Sequence, residues 1–130
     1  MERLTRISFE TAKLAQELGY SWRTDINYYW YQDKITREGF IPCYDTKNAV
    51  LAPEIYLLAD WIRERYNLHI FSMYNHSFSR LQKSWDFKIQ EIGGNIIVDS
   101  GYYTTYQEAI DNGLARAMYI IKDKLNKDMK

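Results

Sequence analysis

The sequence predicts an α+β fold: about three helices packed on one face of a mainly antiparallel sheet of four to five strands. Three observations lead there. The segment "APEIYLLADWIRERY" and the stretch from Thr105 to Leu125 repeat apolar residues at helical spacing. "WDFKIQEI" alternates apolar and polar residues as a half-buried strand does. The Gly93-Gly94 pair behind it supplies the positive φ angles of a tight hairpin into "NIIVD". Strands joined by hairpins and interspersed with helices belong to the α+β class.

The elements follow in chain order. Ser8 can cap a first helix, "FETAKLAQEL", with Glu10 in its first turn and Gly19 at the left-handed position after it. Phe9, Ala12, Leu14, Ala15 and Leu18 form its apolar stripe. "INYYWYQ" and "GFIPCY" are strand candidates separated by a polar turn, "DKITRE", although Pro42 confines the second to an edge or a terminus. Pro53 suits the first turn of the next helix, whose stripe is Ile55, Leu58, Ala59, Ile62 and Tyr66, and Asn67 is a natural stop. "LHIFSMY" then reads as a strand, residues 75 to 84 as a polar loop, and "WDFKIQEI" as a strand with Trp85, Phe87 and Ile89 on one face. Thr105 and Glu108 make a capping box for a last helix with Ile110, Leu114, Ala117, Met118, Ile121 and Leu125 inward, ending near Asn126 in a frayed tail.

With 130 residues the chain is read as a single domain over its whole length, large enough to bury roughly two thirds of its unfolded surface. Lys plus Arg and Asp plus Glu both number 17, so no global basic field draws in nucleic acid. Cys43 is the only cysteine, which excludes an internal disulfide, and no apolar run approaches the length of a membrane span. The expected setting is the cytoplasm, away from the membrane. The compositional outlier is aromatic: 12 Tyr, 4 Trp and 5 Phe. Such residues combine an apolar body with a polar tip and raise the expectation of a contact surface.

Three segments carry a resemblance. "SFETAKLAQELGY", "APEIYLLADWIRERYNLHI" and "YYTTYQEAIDNGLARAMYII", in this order, resemble a family of small uncharacterised proteins encoded by tailed phages and prophages, mainly of gut Bacteroidetes. The matching positions are Phe9 to Ala15, Ala52 to Glu64 and Tyr103 to Ala117. The chain departs from that pattern at Ile55 and Tyr56, where the family often has polar residues. The resemblance implies a phage or prophage origin and brings no activity or functional residue with it.

No constellation carries catalysis, and no metal or other cofactor is expected. His69, His76 and Cys43 lack metal-ligand spacing, and Cys43 has no neighbour that would activate a thiol. Asp60 and Glu64, one helical turn apart, read as a solvated helix face, and "GGN" opens no helix that could cradle phosphate. Arg80, Lys83 and Lys88 interleave with Phe78, Trp85 and Phe87, a pattern that suits single-stranded nucleic acid through phosphate contacts and base stacking. The zero net charge weighs against that alternative, a nucleic-acid-binding accessory protein. In "NYYWYQD" four rings stand in a row, and on a strand Tyr28 and Trp30 point one way while Tyr29 and Tyr31 point the other. The leading expectation is therefore a non-enzymatic protein-interaction module in which Tyr29 and Tyr31, joined by Tyr74, form an aromatic platform for a protein partner, another copy of the chain included.

Overall fold

The computed structural model describes residues 6–23, 27–74 and 85–128. Three helices and six strands run in the order α1 (Phe9–Glu17), β1 (Tyr28–Tyr31), β2 (Lys34–Arg37), β3 (Val50–Leu51), α2 (Ile55–Tyr66), β4 (Leu68–Tyr74), β5 (Trp85–Glu91), β6 (Ile96–Tyr103) and α3 (Tyr106–Asp128). The class is α+β, with three helices and antiparallel strands. The distribution of the strands differs from the single sheet expected. They form two three-stranded sheets, β2-β1-β3 and β4-β5-β6. Each strand pairs with its hairpin neighbour or with one close in the chain, so neither sheet needs a long crossover to close.

The larger sheet follows its sequence pattern. Leu68, Ile70, Phe87 and Ile89 face inward and are buried, while His69, Lys88 and Gln90 alternate with them. Against that face lies α3, whose Leu114, Ala117 and Met118 are wholly buried. Gly113 sets the closeness of this approach, because a Cβ there would stand 2.9 Å from Ile70 Cγ2 and 3.0 Å from Phe87. Gly93, at φ +81°, makes the β5–β6 turn. The capping box forms at its Thr105 end, with Glu108 N–H donating to Thr105 Oγ1 at 3.1 Å, and α3 continues to Asp128, two residues beyond the expected end. Leu125, assigned to its inward stripe, lies exposed.

Helix α1 starts as its sequence implies: Ser8 Oγ accepts from Thr11 N–H, and Gly19 takes φ +90° beyond its end. It is fastened to α3 through Asp111, whose carboxylate accepts from Ser8 N–H (2.8 Å) and from Thr11 Oγ1 (3.1 Å). Helix α2 begins at Ile55 with Glu54 as its cap, so Pro53 precedes the helix instead of opening its first turn. Asn67, at φ 61°, stops it in the left-handed conformation.

The first half of the chain departs most from expectation. "DKITRE" is not a turn; Lys34–Arg37 is strand β2, and the turn is Gln32-Asp33, with φ 51° and 62° at its two residues. Positive φ at both central positions is what a two-residue hairpin turn requires. Strand β2 ends its sheet, where a charged sequence is tolerated because one edge stays wet. "GFIPCY" is not a strand either but enters two short 3-10 helices, Glu38–Phe40 and Cys43–Asn48. Pro42 has no N–H to give to a ladder; its carbonyl instead accepts from Asp45 N–H at 2.9 Å and opens the second helix. Among the described residues no helix is long and apolar enough to cross a membrane.

Candidate functional site

The four rings of β1 are all half-buried, and each is engaged by the chain itself. On one face, the Arg6 guanidinium lies 4.1 Å from the centre of the Tyr28 ring. Trp30 Nε1–H donates to Ile7 O at 3.0 Å, and the Trp30 ring meets Phe9 edge-on at 6.2 Å. On the other face, Tyr29 Oη accepts from Arg23 and donates to Glu38 Oε1 at 3.4 Å. Tyr31 Oη donates to the carboxylate of Asp45, which also accepts from Asn48 Nδ2. Thus Tyr28 and Trp30 hold the segment before α1, while Tyr29 and Tyr31 hold the two 3-10 helices. The ring row is a fastening strip.

The electrostatics agree with this geometry. The bond to Asp45 pushes the Tyr31 hydroxyl up to about 12, with desolvation adding to it, and the bonds from Tyr31 and Asn48 hold the Asp45 carboxyl below its ordinary value. Both shifts favour the bonded pair of neutral phenol and carboxylate. The Arg23–Glu38 ion pair beside Tyr29, at 4.0 Å and with both side chains more than half exposed, adds little.

What the strip holds up is exposed. Phe40, at the end of the first 3-10 helix, is 75% exposed, and Tyr44, in the second, is 83% exposed. An aromatic ring left in water on a segment pinned by its neighbours forgoes the burial it could gain, unless a partner provides it. Two clefts border the same sheet and share Leu51 as a wall. One, of about 560 Å³, is bounded by Ala12, Ala15 and Tyr20 on one side and by Tyr29, Glu38 and Ile41 on the other. The second, of about 340 Å³, is lined by Arg6, Trp22, Asn27, Tyr28, Glu54 and Tyr56. Trp22 (37%) and Tyr56 (59%) add two exposed rings there.

The residues singled out in the sequence separate in space. Tyr29 and Tyr31 share a face of β1, but Tyr74 ends β4 in the other sheet, so the three do not form one platform. Tyr74 instead meets its cross-strand partner Trp85 edge-on at 5.3 Å, and Trp85 meets Tyr106 at 5.6 Å. Of the basic set, Arg80 and Lys83 lie outside the described residues, as do Phe78, His76 and the whole loop 75 to 84. Lys88 is committed: its Nζ lies 2.9 Å from Asp99 and 3.2 Å from Asp86, and those two carboxylates hold its pKa above the ordinary value, Asp99 foremost. Cys43 is exposed, and among the described residues no three His, Cys, Asp or Glu side chains are grouped to hold a metal ion.

Phe40, Tyr44, Trp22 and Tyr56 are the site residues that sequence reading passed over. One signal did mark Tyr56, as a position where the chain departs from the pattern it resembles. No family model, curated protein or solved structure matches the chain.

Proposed function

We propose that this chain is a non-enzymatic protein-binding module whose contact surface is the face of the small sheet, with Phe40 and Tyr44 as its anchors. The observation that carries the reading is that these two rings stand in solvent on short helices fixed from behind by Tyr29–Glu38 and Tyr31–Asp45. A preorganised aromatic anchor loses little conformational freedom on binding, and Tyr and Trp dominate the energetics of protein contacts. The resemblance of three segments to phage and prophage proteins is what supports a bacterial host cell as the setting of this reading, with a phage or host protein as the partner.

Of the basic set of the nucleic-acid alternative, Lys88 alone lies among the described residues, and two carboxylates neutralise it. The test is to purify the tagged chain from its native host without nuclease, record the 260/280 nm absorbance ratio, and identify co-eluting proteins. A low ratio with a reproducible protein partner is the expected outcome. A high ratio that collapses with salt or nuclease overturns the reading in favour of nucleic acid.

A further inference from the structure

Helix α3 is longer than the sheet it covers. Its 23 residues span about 34 Å, against about 23 Å for the seven residues of β4. The excess lies past the Leu68–Glu91 end of the sheet, where the inward stripe of α3 goes on from the buried Ile121 to Leu125, 44% exposed. There α3, the end of α2 and the β5–β6 hairpin border a groove of about 530 Å³. Leu68, Ile120 and Ile121 are its buried or partly buried lining, while Ile97, 41% exposed, stands open beside Leu125. Ile92 and Ile96, in and beside the hairpin turn, add more exposed aliphatic surface. Apolar side chains exposed together in this way mark a contact surface.

The rim is cationic. Arg65, Lys124 and Glu91 line the groove and are all exposed. None of the three makes an ion pair among the described residues, in contrast to Lys122 with Glu17 and Lys127 with Asp123. Arg65 lies only against the rings of Trp61 and Tyr66, at 5.9 and 5.8 Å, with Nε donating to Tyr66 Oη, and the Asn67 amide donates to Ile92 O. Two unpaired cations against one carboxylate leave a net positive charge around an aliphatic strip.

The occupant follows from that chemistry. An anionic amphiphile matches the charge and the strip together. An extended peptide would need backbone partners, but those at this end of the sheet are spent: Asn67 O accepts from Ile92 N–H, Asn67 N–H donates to Arg63 O, and Glu91 N–H donates to Asn95 O. A helix brings its backbone already paired and offers an apolar stripe with polar flanks. A small lipid is enclosed in its site, whereas Ile97 and Leu125 stand open. A second copy seating its own α3 here would set its Lys124 against Arg65 and Lys124, like against like.

We propose that the groove between the end of α3 and the β5–β6 hairpin binds an amphipathic helix of a protein partner, its leucine-like stripe on Ile97, Ile120 and Leu125 and its acidic flanks on Arg65 and Lys124. This surface shares no residue with Phe40 and Tyr44 and stands whether or not the small sheet binds protein.

The test titrates the methyl-labelled full chain with an acetylated, amidated peptide of about 18 residues, long enough to form a helix, with leucine at helical spacing and glutamate elsewhere. One control replaces every glutamate by lysine, and another scrambles the leucines around the helix. The Ile97 methyl signal, assigned from its loss in Ile97→Val, is expected to shift with the glutamate peptide, and the affinity to fall as salt is raised. Leu125→Ala, at a half-exposed position, is expected to weaken binding by at least about ten-fold with the melting temperature kept. Lys124→Glu is expected to weaken the glutamate peptide similarly and to strengthen the lysine one, and Phe40→Ala/Tyr44→Ala to change neither. No shift at millimolar glutamate peptide, equal affinity for either control, affinity unchanged in both Leu125→Ala and Lys124→Glu, or binding lost in Phe40→Ala/Tyr44→Ala overturns the proposal. Dimerisation of the wild type abolished by Leu125→Ala overturns it in favour of a second copy, and a shift with laurate but not with the peptide overturns it in favour of a lipid.

Discussion

The two sheets are both three-stranded and antiparallel but are held by different means. In β4-β5-β6, Leu68, Ile70, Phe87 and Ile89 sit under α3 in a continuous apolar core. In β2-β1-β3, Val50 is buried, Trp30 and Leu51 are only partly so, and the rest of the binding comes from phenol–carboxylate and guanidinium–ring contacts to short loops. Burial is strong and indifferent to detail, whereas hydrogen bonds at the surface are weak but directional. The first kind of sheet gives stability. The second fixes the pose of what is attached to it, here Phe40 and Tyr44.

If that contrast is right, substitutions in the two sheets should fail differently. The largest effect belongs to the core: Leu114→Ala and Ile89→Ala, both at wholly buried positions, should each cost about 2–5 kcal/mol in chemical denaturation. Gly113→Val should cost about 1–3 kcal/mol by forcing α3 away from Ile70 and Phe87, again as a loss of global stability. A melting temperature unchanged by either would mean that the large sheet is not the stability centre.

Two removals of a tyrosine hydroxyl sharpen the contrast. Tyr31→Phe cuts the tie to Asp45 and should speed hydrogen exchange in residues 43–48 while leaving β4-β5-β6 protected. Tyr20→Phe should be neutral or slightly stabilising, because the Tyr20 hydroxyl is buried without a hydrogen-bond partner among the described residues. Loosening by Tyr20→Phe but not by Tyr31→Phe would reverse the assignment of roles.

The smallest effect is in pH. The Tyr31 pKa is raised in the fold from 10.0 to about 12, so its contribution is complete below pH 10 and is lost as pH rises from 10 toward 12. Asp45 is lowered from its ordinary 3.8, so its contribution is present above that pH and is lost as pH falls through the lower folded value. Exchange rates in residues 43–48 should therefore be flat, after correction for intrinsic exchange, between those limits and rise at both ends. Tyr31→Phe should abolish the alkaline rise that this tie produces.

The same contrast explains what could be read from the sequence. α2, β4, β5, the Gly93 turn and α3 were legible because a core imposes a period on the residues that enter it, and Ile110, Leu114 and Ala117 display that period. β2 was not, because an edge strand such as "KITR" buries too little to need alternation. The 3-10 helix Cys43–Asn48 was not, because its tether reaches 14 residues back, from Asp45 to Tyr31, and no local pattern records such a tie. The site suffered for the same reason. Whether a Phe or Tyr in a loop is core or surface depends on tertiary neighbours, so "NYYWYQD" drew attention while Phe40 and Tyr44 did not.

The most direct test of the account is quantitative capture of the partner from the native host by wild type, by Phe40→Ala/Tyr44→Ala and by Tyr74→Ala at matched folded concentration. Loss of the partner in the double variant, with retention by Tyr74→Ala, is the result expected if the small sheet presents the contact surface. Retention by the double variant together with loss in Tyr74→Ala would contradict it and move the surface to the aromatic run of Tyr74, Trp85 and Tyr106.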